Sequence, residues 1–322
     1  MVEKDYSEEY IKINGIFQYF LHYDFSQKDT VIFLHGGPGE SKANFAYHFA
    51  PYFNFCNVVY YDQRGTGKTQ LKNKTKADEI TLEILVEDLN QTIKYIKEKY
   101  KTDQIVLLGQ SWGSVLGTKY ILQYPQNVKC YIGTGQVIDV LKGEAVELNK
   151  LREIIVKGGN KKDIRKLDSF ANYPYNVPFD KLFKIVIKFR MLQAKYGHPS
   201  TSPMTIFKHL IKSPIFSIKD FIPMLGIMKM NRNLTENFIK NGFWNITEYK
   251  LPVYYVLGKN DSQVSCTLAA EYFSRIKAPE KELYWVENAG HETDFDNPIM
   301  FYNIIKEILT RQTPSLAFDD SK

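Results

Sequence analysis

A serine stands between two glycines at Gly109-Gln110-Ser111-Trp112-Gly113, the G-x-S-x-G spacing of a nucleophile elbow. A sharp strand-to-helix turn of that kind lifts the Ser111 hydroxyl above a sheet, where side chains two residues away would collide. A serine hydroxyl attacks only when an oriented base takes its proton. Two later phrases supply the partners in the order serine, acid, histidine. Leu257-Gly258-Lys259-Asn260-Asp261 offers Asp261, and Asn288-Ala289-Gly290-His291 offers His291. The expected roles are Ser111 as nucleophile, His291 as base and then acid, and Asp261 as the carboxylate that orients the imidazole. Asp139 is a rival acid, with Asp294 and Asp296 weaker ones. Attack on a carbonyl also needs two donors for the oxygen that gains charge. The backbone N–H of Trp112 is one, and the N–H of Gly37, in the turn His35-Gly36-Gly37-Pro38-Gly39, is the other.

A second glycine-rich phrase, Asp62-Gln63-Arg64-Gly65-Thr66-Gly67-Lys68-Thr69, imitates the end of a phosphate-binding loop. That loop needs a glycine five positions before Gly67, where this chain has Asp62, so nucleotide binding is rejected. The turn is expected to buttress neighbouring loops, with Arg64 and Asp62 in a local polar network. Three distant cysteines (Cys56, Cys130 and Cys266) make neither a disulfide framework nor a zinc cluster. Neither a metal nor an organic cofactor is called for.

These residues need elements to hold them. Short β-rich runs at 11–23, 30–34, 57–61, 104–108 and 128–132 alternate with helical spacing at 81–100 and after the Ser111 turn up to Tyr124. Buried strands alternating with helices predict a mostly parallel sheet with helices on both faces. Ser111, Asp261 and His291 each follow a predicted strand, and sites on such sheets gather at the strands' carboxyl ends. Alternation stops at about 139 and resumes at about 249. Between them the sequence predicts helices over 144–156, 181–196 and 222–230, and no strand. A strand over 251–257, a helix over 267–275, a strand over 283–286 and a helix over 298–309 follow, then a polar tail. The expected organisation is a core of residues 1–138 and 249–322 with a helical cap, 139–248, inserted in it.

The 322 residues, 44% hydrophobic and 24% charged, exclude a mainly disordered chain. Apolar runs stop well short of the ~20 residues of a membrane span, and the acidic first ten residues lack the apolar stretch of a signal peptide. A cytoplasmic protein is expected. The net charge of +6 is uneven: residues 139–248 carry +9, leaving −3 for the remainder. Lysines dispersed among aliphatic and aromatic residues describe a solvated helical face rather than a nucleic-acid surface.

Together, His35-Gly36-Gly37-Pro38-Gly39, Asp62-Gln63-Arg64-Gly65, Gly109-Gln110-Ser111-Trp112-Gly113-Ser114, Asp261 and Gly290-His291 resemble the α/β-hydrolase fold. Within it they are similar to the proline iminopeptidase (prolyl aminopeptidase) family. The likeness spans roughly residues 25–135 and 250–310. It implies a helical cap over the site and hydrolysis through an acyl-enzyme, with release of a small N-terminal residue such as proline from a short peptide. It also implies cap glutamates that hold the substrate's ammonium, for which Glu236 and Glu144 are the candidates. A carboxylesterase or amidase for a small, possibly anionic substrate is the alternative, and a non-enzymatic binding module on the same fold is the alternative of another class. The oligomeric state is left open.

Overall fold

The first strand and its neighbour form a hairpin, β1 (Ser7–Ile13) and β2 (Ile16–Tyr23), joined at Asn14 and Gly15, whose φ angles are 44° and 85°. The sequence reading merged them into a single strand. Two successive positive φ angles define the tight turn that reverses a right-twisted strand, and Asn-Gly is its commonest dipeptide. The computed structural model describes residues 6–196, 201–223, 232–240 and 242–311. Most of the helix expected over 222–230 and nearly all of the polar tail lie outside these.

The remaining strands are β3 (Thr30–Leu34), β4 (Asn57–Tyr61), β5 (Ile105–Gln110), β6 (Val128–Thr134), β7 (Val253–Gly258) and β8 (Lys281–Val286). They pair in the order β1-β2-β4-β3-β5-β6-β7-β8. β1, β2 and β4 pair antiparallel, and every pairing from β4 to β8 is parallel. β3, β4, β5 and β7 are buried along their whole lengths, which is why they read as continuous apolar runs.

Helices cover both faces. The flanking elements are α1 (Ala46–Phe49), α2 (Gly67–Asn73), α3 (Leu82–Tyr100) and α4 (Trp112–Gln123). On one face, Ile32, Leu34 and Leu107 pack with Leu89 and Ile93 of α3 and Leu116 of α4. On the other, Val31, Phe33 and Leu108 pack with Phe49 of α1 and with residues of the last helix. This is the fold class expected from the sequence.

The chain leaves the sheet at Thr134 and returns at Val253. Among the described residues this stretch is helical: α5 (Val140–Gly158), α6 (Lys161–Asp168), α7 (Phe179–Lys195), α8 (Pro203–Lys212) and α9 (Arg232–Lys240). α6, α8 and α9 were not anticipated. α5 begins before residue 144 because Asp139 caps it, its Oδ1 accepting from the Lys142 N–H at 3.0 Å. α5, α6 and α7 share a separate cluster built on Leu151, Ile155, Phe170 and Phe189, while Leu234 of α9 is buried in a cluster on the sheet. The chain then completes the core with α10 (Cys266–Arg275), α11 (Thr293–Asp296) and α12 (Pro298–Thr310). Among the described residues no helix is long and apolar enough to cross a membrane.

Candidate active site

β5 ends at Gln110 and α4 begins at Trp112, so Ser111 alone makes the turn, with φ 52° and ψ −118°. Its N–H donates to the Thr134 carbonyl of β6 at 3.0 Å, and its own carbonyl accepts from Ser114 Oγ at 2.6 Å. A β-carbon at Gly113 would lie 2.0 Å from the Leu34 carbonyl oxygen, and one at Gly109 would lie 2.7 Å from that of Gly113. The two glycines of the motif are there because backbone fills the space their side chains would need.

Asp261 follows β7, and His291 lies two residues before α11. Their side chains meet at His291 Nδ1–Asp261 Oδ2, 2.9 Å, both nearly buried. The other Asp261 oxygen accepts from the Gln263 and Val264 N–H groups at 3.0 and 2.9 Å. The rival acids are engaged elsewhere. Asp139 caps α5, Asp294 pairs with Lys42 at 2.8 Å, and Asp296 accepts from the Gly290 N–H at 2.7 Å. Burial alone would lower the His291 pKa, but the Asp261 carboxylate and its hydrogen bond raise it to about 9, with Glu292 and Glu40 adding to the rise. The imidazole packs on Gly135, next to the Thr134 carbonyl that anchors Ser111; a β-carbon there would lie 2.9 Å from His291 Cε1.

The other loops interlock behind the serine. Burial lowers the His35 pKa to about 4, leaving the ring neutral. Its Nδ1–H faces the Gly36 carbonyl at 3.0 Å and its Nε2 accepts from the Gln63 N–H at 3.1 Å. Gln63 Oε1 in turn accepts from Trp112 Nε1 at 3.1 Å. The three glycine-rich phrases are thus fixed to one another, with Gly37 at φ 108°. The Asp62 turn lies against this region, its Arg64 paired with Asp88 at 2.8 Å rather than with Asp62. Asp62 instead accepts from the Lys68 N–H at 2.7 Å.

Gly37, Ser111 and Trp112 line a cavity of about 160 Å³ whose walls include Val137, Phe238 and Glu144. Glu144 is not free: its carboxylate pairs with Arg190 and accepts from the Tyr173 hydroxyl. Burial pushes its pKa up against the pull of Arg190. Glu236 lies on α9, paired with Arg232 at 2.9 Å.

A smaller chamber of about 30 Å³ opens on the other side of the Gly36 turn, lined by His35, Gly36, Glu40, Lys42, Gln110 and Glu292. A β-carbon on Gly36 would lie 3.4 Å from Ser111 Cβ and 3.6 Å from a Glu40 carboxylate oxygen, so both side chains stand against Gly36. Lys42 sits 2.8 Å from Asp294 and 3.5 Å from Glu292, and Gln110 Nε2 donates to Glu292 at 3.0 Å. Enclosure by protein raises the Glu40 pKa, and the neighbouring Glu292 charge raises it further. Lys42 and His291 hold the Glu292 carboxyl below its usual range despite burial. Sequence reasoning passed over both glutamates. The available signals were their places directly after the Gly39 turn and directly after His291. Among the described residues no group of three or more His, Cys, Asp or Glu side chains is arranged to hold a metal ion.

A parallel sheet that carries a serine on a strand–helix elbow and a buried Asp–His pair on later loops defines a hydrolase of one well-populated architecture. The chain belongs to the alpha/beta hydrolase fold family, whose model matches residues 29–298. It is 23% identical over 281 residues to a probable aminopeptidase of Bacillus subtilis, covering 85% of this chain and 87% of the relative. It is 26% identical over 310 residues to a proline iminopeptidase of Saccharolobus solfataricus, covering 94% and 92%. Among solved structures, a proline iminopeptidase-related protein of Thermus thermophilus superposes with a TM-score of 0.58 at 20% identity, covering 94% of this chain and 97% of that one. Solved epoxide hydrolases and an esterase share the fold as well, so structural likeness carries the fold and no substrate.

Proposed function

We propose that this hydrolase is a serine enzyme working through an acyl-enzyme, and that it removes a small N-terminal residue such as proline from short peptides. The buried 2.9 Å contact between His291 and Asp261, beside the strained Ser111 turn, carries the first part of that reading. In this scheme His291 takes the Ser111 proton as the hydroxyl attacks the scissile carbonyl. Asp261 holds the imidazole in the required tautomer, and the Gly37 and Trp112 N–H groups receive the oxyanion. His291 then protonates the leaving amine, and water repeats the sequence to release the acyl group. The helices between Asp139 and Glu248 form the cap of this scheme, and they contribute Val140, Glu144 and Phe238 to the walls of the acyl pocket.

The substrate's ammonium needs a carboxylate, because an unpaired buried charge costs several kcal/mol. Glu144 and Glu236 each already face an arginine. Glu40 is the better acceptor: it lines the small chamber beside Ser111, and the nearby Lys42 ammonium is taken by Asp294 and Glu292. A volume of about 30 Å³ accommodates one group of the size of water or ammonium. Glu144 stands second. The mostly apolar larger cavity, with Glu144 neutralised by Arg190, favours the competing reading of an esterase for an uncharged acyl group.

A fluorophosphonate should label Ser111 stoichiometrically, and Ser111→Ala should abolish labelling and turnover with an unchanged melting temperature. Glu40→Gln should raise KM for proline-naphthylamide at least tenfold while leaving p-nitrophenyl acetate within about threefold. If the naphthylamide is not cleaved, or both substrates respond alike, the aminopeptidase reading is lost and the esterase stands.

A further inference from the structure

The loop that aims Asp261 is held from outside by the inserted helices. Within the loop, Gln263 and Val264 N–H groups fix one Asp261 oxygen. Its outward carbonyls at Ser262 and Gln263 have no partner in the sheet, and α7 provides one. Gln193 Nε2 donates to the Ser262 carbonyl at 3.1 Å, and Arg190 Nη2 donates to the Gln263 carbonyl at 3.0 Å. Arg190 Nη1 also reaches Ser262, at 3.4 Å, and donates to Gln193 Oε1 at 2.7 Å, which locks the two side chains together. The neighbouring residues Phe189 and Leu192 are buried in the cluster of the inserted helices, so α7 is anchored independently of the loop. A second attachment comes from α5, where Glu147 Oε1 accepts from Ser265 Oγ at 2.6 Å. The same guanidinium pairs with Glu144, a wall of the larger cavity.

We infer that Arg190 is a positioning residue, which clamps the Asp261 loop from the inserted helices and so keeps the acid seated against His291. The inference rests on the serine-hydrolase reading, since it presumes that the Asp261–His291 pair is the working one. Arg190 touches neither the serine nor the imidazole. It donates to the Gln263 carbonyl and, at longer range, to the Ser262 carbonyl that Gln193 also holds, and these bonds tie the loop backbone to α7. Small losses of alignment in a supporting shell translate into large losses in rate. The arrangement also ties the acid to the seating of the helices: if α7 lifts from the core, Asp261 loses its clamp.

Arg190→Met would strand the Glu144 charge, so the test uses Arg190→Met with Glu144→Gln, and Glu144→Gln alone as its control. The primary readout is the titration of His291, followed by NMR of the ring, which needs no turnover. Glu40 and Glu292 act on the same imidazole, Lys42 is paired with Glu292, and all three are unchanged throughout. The double variant should lower the His291 midpoint by at least half a unit and broaden the downfield Nδ1–H resonance, and Glu144→Gln alone should do neither. Where Ser111 is labelled, the double variant should lose at least tenfold in kcat relative to Glu144→Gln, with KM within threefold of that control, and Arg190→Lys should recover part of that loss. An unchanged His291 midpoint in the double variant, or a rise in KM alone, overturns the inference. Absence of Ser111 labelling in the wild type instead overturns the hydrolase mechanism, a separate result that the NMR titration does not depend on.

Discussion

Ser111 occupies a backbone region that costs about 1–3 kcal/mol for a non-glycine residue, and the bonds to Thr134 and Ser114 hold it there. His291 meets a comparable opposition, between burial and the Asp261 charge, and the charge wins. In the proposed mechanism only the neutral imidazole accepts a proton. The pH profile of kcat/KM should therefore climb through an ionisation near 9 and level off above it. Stability should respond in the opposite sense. A histidine raised above 6.5 stabilises the fold fully below that pH, and loses the contribution as pH rises through about 9. Asp261→Asn removes the raising charge, so the limb should fall to 6.5 or below. The variant should also lower kcat by about 10⁴, the cost of favouring the wrong imidazole tautomer. Asp139→Asn should change kcat less than threefold. A pH profile that keeps its limb near 9 in Asp261→Asn would show that another group is titrating. The triad candidates were legible because each stands in a short phrase fixed by backbone crowding. Glu40 and Glu292 were not, because their neighbourhood is made by two loops 252 positions apart in sequence, and nothing local marks such a pair.

At the scale of elements, the buried parallel strands were readable from apolar runs and their glycine-rich ends. The helices α6, α8 and α9 were missed. α6 (KKDIRKLD) is mostly charged, with only Ile164 and Leu167 to mark an apolar side; α8 leaves Met204, Phe207 and Ile211 exposed, and α9 is short, with Leu234 and Phe238 its only apolar residues packed on the core. The hairpin was missed although its Asn-Gly signal was present, because apolar residues continue on both sides of it. Packing of α4 on β3 is the tightest contact the motif dictates. Gly113→Ala would drive a methyl carbon to 2.0 Å from the Leu34 carbonyl oxygen, and only backbone could yield. Overpacking of this kind typically costs about 1–3 kcal/mol or more. The expected result is a lower denaturation midpoint at an unchanged m-value, together with a loss of Ser111 labelling as the elbow shifts. A midpoint equal to wild type would mean that α4 can slide, and that the second glycine of the motif has another reason to be there.

For the whole molecule, the apolar clusters divide the chain only partly as its charge does, since Ile215, Leu234 and Phe243 of the basic stretch are buried with the sheet. Two clusters flank the sheet, while a third, around Leu151, Ile155, Phe170 and Phe189, belongs to the helices that carry the basic surplus. A separate core with its own surface is the physical meaning of a cap, and we propose that it opens before the sheet does. Leu151 is fully buried in that third cluster, and Leu107 is equally buried in the sheet. Truncating either to alanine should cost about 2–5 kcal/mol, but the two losses should fall on different cooperative units. In Leu151→Ala, turnover and the His291 titration should change at lower urea than the far-ultraviolet signal of the sheet, since losing α7 also releases the Asp261 loop. In Leu107→Ala the probes should move together. Coincident transitions in both variants would mean that the inserted helices and the sheet fold as one unit, and that the loops after β7 and β8 are steadied by the core alone.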